Sequence, residues 1–140
     1  CLNEADGVGI CVEKARKALD RMGVPGEVVV VDNGSTDGSA EIGARAGARV
    51  VHERRRGYGA AYLRGFHEAR GKYLIMGDAD DTYDFADIAP FVEPLAAGGA
   101  VVHDLRRRRV LEKARFATYA LPNASTDVRD GFVPGPDQFP

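Results

Sequence analysis

Residues 72–85, KYLIMGDADDTYDF, pass abruptly from an apolar run at 73–76 to four aspartates within seven residues. Gly71 and Gly77 bound the run. A short continuous apolar run of this kind reads as a strand covered on both faces, as in a parallel sheet. Ligands of open α/β sheets gather at the carboxyl ends of such strands, which is where Asp78 and Asp80 fall. In extended chain two such side chains share a face about 6–7 Å apart, close enough to address one hydrated divalent ion or an ion and its ligand. An oxygen-only donor set favours magnesium or manganese. Taken alone, D-x-D is more often an aspartate-rich turn, because aspartate is common in turns and at helix N-caps. Asp84 and Asp87 read that way, standing just before Ile88, Phe91, Val92 and Leu95 of a helix expected over about 85–97.

Upstream, Cys11, Ala15, Ala18, Leu19 and Met22 recur at helical spacing over 8–22, with charged residues mostly elsewhere on the wheel. Gly23, Pro25 and Gly26 end that helix, and the β-branched stretch 27–31 predicts a buried strand. A loop follows, Asp32-Asn33-Gly34-Ser35-Thr36-Asp37-Gly38, and then a short helix over about 39–46. As an ordinary connection the loop would use Thr36 or Asp37 as N-cap. As a site, it would present Asp32 from the strand end as an acceptor for a base or sugar. It lacks the G-K-[ST] ending of a Walker phosphate loop. Residues 49–52 predict another strand, and the arginines at 54–56 with Gly57 and Gly59 lead into a helix reaching about residue 70. A helix N-terminus flanked by arginines suits a diphosphate. His52 and His67 read as satisfied or exposed histidines, since no histidine pair has metal spacing. A last strand is expected at 100–103.

The alternation of helices and strands predicts an α/β fold: a Rossmann-like, mostly parallel sheet with flanking helices. With 44% hydrophobic and 29% charged residues in 140, one domain with a real core is expected over 1–103. Residues 104–140 read as an atypical tail, with a helix near 110–120 and then proline-rich extended or disordered chain. A net charge of −2 gives no general drive toward nucleic acid, although arginines cluster at 54–56 and 106–109. Two cysteines are too few for a disulfide framework and favour a reducing, cytoplasmic setting. No apolar stretch approaches the roughly 20 residues of a membrane span, and no signal peptide is visible. The sequence begins at CLNEAD without an initiator methionine, so upstream material is expected to be missing.

Together, CLNEAD, VVVVDNGSTDGS, RRRGYGAAYLRGF and YLIMGDADDTYDF resemble, in order and spacing over residues 1–99, the nucleotide-sugar motifs of family 2 glycosyltransferases with the A-type fold. The resemblance is nearest to enzymes that load sugars onto polyprenyl or dolichyl phosphate. It implies that Asn3 and Glu4 hold the nucleoside at the end of the first strand, and that Asp32 reads the base with Asn33, Gly34 and Ser35 beside it. Arg56, Gly57 and Gly59 would line the nucleotide and diphosphate. Asp78 and Asp80 would hold ribose and metal-bound diphosphate, the ion being Mg2+ or Mn2+. The implied partners are a nucleoside-diphosphate sugar and a polyprenyl phosphate at the cytoplasmic membrane face.

The family's first, central strand is represented only by its end, and past Gly99 the sequence departs from the pattern. No catalytic base is assignable, though an anionic phosphate acceptor needs little base catalysis. Two other readings stand beside this one. One is a nucleotide-sugar-binding remnant without transferase activity. The other is a haloacid-dehalogenase-type phosphatase, since Asp78-Ala79-Asp80-Asp81-Thr82 also satisfies D-x-D-x-T, with Asp78 as nucleophile and Asp80 as acid/base. Chain order argues against the phosphatase, whose motif usually opens its domain.

Overall fold

The computed structural model describes residues 1–96. The strand expected at 100–103, the arginines at 106–109 and the whole tail over 104–140 lie outside the described residues.

The first helix, α1 (Ala5–Met22), starts three residues before the expected position and buries Val8, Cys11, Val12 and Ala18 along one stripe. Its end is set by Gly23, whose φ of 63° is the left-handed conformation that glycine adopts without strain. Gly23 N donates to Asp20 O and Val24 N to Leu19 O, the paired bonds of a Schellman stop. Strand β1 (Val29–Asp32) follows, then helix α2 (Ser39–Arg45) and strand β2 (Arg49–His52). The strands are parallel and in register from Val29 opposite Arg49 to Asp32 opposite His52. Parallel neighbours need a crossover, which α2 supplies. Helix α3 (Tyr58–Glu68) and the short α4 (Ala89–Ala96) complete the described elements.

The two faces of β1 are used differently, as its alternation dictates. Val30 packs with Val8 and Val12 of α1, and Ile42, Ala46, Ala48 and Val50 close around them. Val8 and Val12 are essentially inaccessible to solvent, and burying a valine side chain contributes about 1.5–3 kcal/mol. Val31 faces α3, where Gly65 comes so close that a Cβ there would stand 3.3 Å from the valine methyl. Arg49 closes the lower end of this layer: its guanidinium meets Glu27 and Glu68, and also donates to the Glu68 carbonyl. α3 is thereby tied to the start of both strands.

Three expectations need correction. Residues 73–76 form no strand. A strand requires a neighbour's N–H and C=O groups, and both edges of β1 are taken. One is held by β2; on the other Cys1 N donates to Val31 O at 2.6 Å, and Asn33 N donates to Cys1 O at 3.0 Å. Those two bonds are rungs of a parallel ladder, so Cys1 sits where the end of a first strand was expected. The helix foreseen from residue 85 begins at Ala89. Asp84 holds a turn instead, accepting from Ala86 N through its side chain and from Asp87 N through its carbonyl. The helix foreseen to residue 70 stops at Glu68, with Ala69 extended.

Candidate functional site

At the carboxyl end of β1, Asp32 is buried, with its side chain 6% exposed. It is nevertheless satisfied. Oδ1 accepts from Ser35 N at 3.0 Å, while Oδ2 accepts from Gly34 N at 3.3 Å and lies 3.1 Å from His52 Nδ1. Burial opposes ionisation of Asp32, but the hydrogen bonds from Ser35, His52 and Gly34 outweigh it and hold the carboxyl below its ordinary value. The loop is stitched to the start of the chain as well. Asn3, at a left-handed φ of 57°, accepts from Thr36 N through Oδ1 and donates its own N–H to Ser35 Oγ.

Neither Thr36 nor Asp37, the foreseen candidates, is the N-cap of α2, which is Gly38; Asp37, one residue before it, serves two helices. Oδ1 accepts from Ser39 N at the start of α2, and Oδ2 accepts from Ala5 N at the start of α1. Ser39 Oγ in turn accepts from Glu4 N. Three of the donors that helix starts leave without partners are thus met by two side chains.

Asn33 fastens the second loop to the first. Its amide donates to Glu53 O and Arg55 O at 2.9 and 2.8 Å, and its Oδ1 accepts from Gly57 N at 2.8 Å. This side chain is buried and fully occupied, so it acts by placing Arg56 and Gly57. Arg56 then lies over Gly34: a Cβ at Gly34 would stand 3.4 Å from the guanidinium. Gly34 at φ 94° and Gly57 at φ 130° adopt conformations that favour glycine. Gly59, exposed on the first turn of α3, faces open space.

The acidic loop approaches from the other side. Asp78 Oδ1 accepts from Tyr62 Oη, which itself accepts from Tyr58 Oη, at 3.3 and 2.9 Å. Burial first, and then the neighbouring hydroxyl and carboxylate, push the Tyr62 phenol strongly upward, so it stays a donor. Asp80 is exposed and its Oδ1 accepts from Thr82 N. Lys14 of α1 anchors the following turn through Asp81 at 2.7 Å, where Asp81 has a left-handed φ of 62°. Gly7 lets α1 touch this loop directly: a Cβ there would overlap Ala79 O and stand 2.9 Å from Asp80 Cα.

The structure therefore brings Asn3, Asp32, Asn33, Gly34, Ser35, Arg56 and Gly57 into one connected network, with Asp78 near it. Among the described residues no group of three His, Cys, Asp or Glu side chains is placed to hold a metal ion. Asp78 and Asp80 are an oxygen-only pair, which fits magnesium's habit of taking one or two carboxylates plus phosphate and water. Sequence reasoning missed His52 as the partner of Asp32, and missed Tyr58 and Tyr62. The only signals available were the equal ends of two in-register strands and an i, i+4 tyrosine spacing on α3.

Two solved structures share this fold. A crystal structure of a mycobacterial protein overlays with a TM-score of 0.62 at 30% identity, covering 72% of this chain and 36% of that one. Mannosyl-3-phosphoglycerate synthase from Rubrobacter xylanophilus overlays at 0.57 with 27% identity, covering 66% and 34%. The fold is that of the A-type glycosyltransferases. Residues 1–132 match glycosyl transferase family 2, and the chain belongs to that family. The low-salt glycan biosynthesis hexosyltransferase Agl6 of Haloferax volcanii is 46% identical over 99 residues, covering 71% of this chain and 24% of the relative. The undecaprenyl-phosphate 4-deoxy-4-formamido-L-arabinose transferase of Edwardsiella ictaluri is 36% identical over 114 residues, covering 76% and 35%. The chain thus spans about a quarter to a third of these relatives' length. Family membership leaves the phosphatase role for Asp78 without support.

Proposed function

We propose that these residues form the donor-binding part of a hexosyltransferase that moves a sugar from a nucleoside-diphosphate sugar to a polyprenyl phosphate. The observation that carries this is the bonded network of Asn3, Asp32 and Ser35 at the carboxyl end of β1, beside an arginine and glycine loop fastened by Asn33. A base and ribose would lie along Asn3, Glu4, Asp32, Gly34 and Ser35, within the frame that Asn33 holds. Arg56, Gly57 and Gly59 would face the diphosphate, at the start of a helix without a side-chain cap. Asp80 and Asp78 would hold Mg2+ or Mn2+, whose chemistry is to neutralise charge developing on the departing nucleoside diphosphate. The Tyr62 hydroxyl keeps one Asp78 oxygen oriented toward that task.

The Edwardsiella relative, whose name specifies undecaprenyl phosphate, supports the acceptor, and the Haloferax relative, named a hexosyltransferase, supports the hexosyl group. With such an acceptor the reaction would lie at a membrane surface, on its cytoplasmic face in our reading. Among the described residues no helix is long and apolar enough to cross one.

The test is titration calorimetry with uridine and guanosine diphosphate sugars, with and without Mg2+. Asp80→Asn and Asp78→Asn should weaken metal-dependent binding by about tenfold or more, the scale of losing a charge-assisted contact. Asp87→Asn should leave it unchanged. Binding equal with and without chelator would remove the metal from the account, and no binding at all would remove the function. Binding without transfer to a polyprenyl phosphate would favour the nucleotide-sugar-binding remnant.

A further inference from the structure

The polar group that β1 and β2 together offer to solvent at their carboxyl ends is His52, not Asp32. Both Asp32 oxygens already accept from the chain, and its side chain is 6% exposed. The His52 ring, its register partner, is 68% exposed and turns Nδ1 to Asp32 Oδ2 at 3.1 Å. A carboxylate accepts only, so Nδ1 carries the proton of that bond. In the neutral ring Nε2 is then an acceptor, held at a fixed tautomer by Asp32. A buried carboxylate that orients an exposed imidazole is a device for presenting one lone pair in a defined direction.

Resting on the reading of this region as a nucleotide site, we propose that His52 is a specificity-determining residue. Its Nε2 accepts a hydrogen bond from the imide-type N–H of the donor's base, N3–H of uracil or N1–H of guanine. Cytosine and adenine carry a lone pair at the corresponding ring nitrogen, so they would set acceptor against acceptor. A site built around one hydrogen bond rejects the mismatched partner because a polar group is left unpaired on each side. Asp32 acts through His52 as a positioning residue.

The experiment is calorimetry at pH 8 with uridine, guanosine, cytidine and adenosine diphosphates in Mg2+. The native protein should bind the uridine or guanosine compound about tenfold or more tighter than cytidine and adenosine diphosphate. His52→Ala should lose that discrimination by weakening the favoured nucleotide while leaving the disfavoured ones within about twofold. His52→Gln, whose amide oxygen can accept, should restore part of it. His52→Ala also takes a hydrogen bond from the buried Asp32 carboxylate, so it should melt below the native protein, and affinities are compared at a temperature where all variants are folded.

A native protein without base preference, or a His52→Ala variant that keeps the preference, overturns the proposal. An equal loss for all four nucleotides also overturns it, because His52 would then only shape Asp32. Absence of any nucleotide binding by the native protein would instead be the failure of the donor-site reading itself, and the inference would fall with it.

Discussion

Replacing Gly7 by alanine puts a methyl group where α1 rests on the acidic loop. An ideal Cβ at Gly7 would overlap the carbonyl oxygen of Ala79 and stand 2.9 Å from the Cα and carbonyl carbon of Asp80. Ordinary contact begins near 3.4 Å, so the loop backbone must retreat by about 0.5 Å or more, and backbone does not rotate aside as a side chain does. Overpacking of this kind costs about 1–3 kcal/mol. Alanine also gains about 1 kcal/mol of helix propensity over glycine, which would blur a single measurement.

Gly9 in the same helix supplies the control. A Cβ there meets only the Ile42 Cγ2 methyl, at 3.1 Å, which can swing away. The propensity gain is common to Gly7→Ala and Gly9→Ala, so their difference isolates the clash. Gly7→Ala should be less stable than Gly9→Ala by about 1–3 kcal/mol. In a domain of this size that is roughly 4–24 °C in melting temperature. Far-ultraviolet circular dichroism during heating and urea titration measures it. Because the displaced backbone carries Asp78 and Asp80, Mg2+-dependent nucleotide affinity should fall in Gly7→Ala and hold in Gly9→Ala. A Gly7→Ala protein as stable as Gly9→Ala would refute the reasoning.

Asn33→Ala should lower stability by about 2–3 kcal/mol, since three backbone groups of 53–57 lose their partners at roughly 1 kcal/mol each; it should also weaken nucleotide diphosphate binding, and chemical denaturation with calorimetry checks both. The folded carboxyl of Asp32 titrates below its ordinary value, so the unfolded chain binds its proton first and protonation favours unfolding. Its contribution is fully present above an unfolded pKa near 3.9 and is lost as pH falls below that toward the folded pKa. Urea midpoints measured from pH 6 to pH 3 should therefore drop more steeply for the native protein than for Asp32→Asn; parallel profiles would contradict the assignment.

Local pattern made much of the fold legible. The stretch 49–52 was bounded correctly because apolar residues end in His52 and a charged turn, and Gly23 announced its helix stop by conformation alone. Residues 73–76 failed for a physical reason. An apolar run reports burial, and residues 73–75 are indeed half-buried while Met76 is 58% exposed, but a strand exists only through hydrogen bonds to a neighbour that the run itself does not encode. The site divides in the same way. Asp32 and Asp78 could be found from their places at the ends of apolar runs. His52 could not, because its pairing with Asp32 depends on parallel register across 20 residues, and neither could the role of Asn33. The resemblance set it beside the base, and folding gives it in addition the task of holding backbone that is separated from it by 20 to 24 residues.

That amide also decides where the chain can vary in length. Its three bonds reach Glu53, Arg55 and Gly57, so every second position across the turn is pinned to one planar group of fixed size. Tolerance of insertion depends on the burial and bonding of the backbone affected. An added residue between 53 and 57 would carry at least one anchor out of reach and release the others, whereas the arginine side chains in the same window take no part in these bonds. The turn is thus rigid in its count of residues, and Gly57, at φ 130°, is fixed in identity as well, whereas Arg54 and Arg55 can change without touching these anchors.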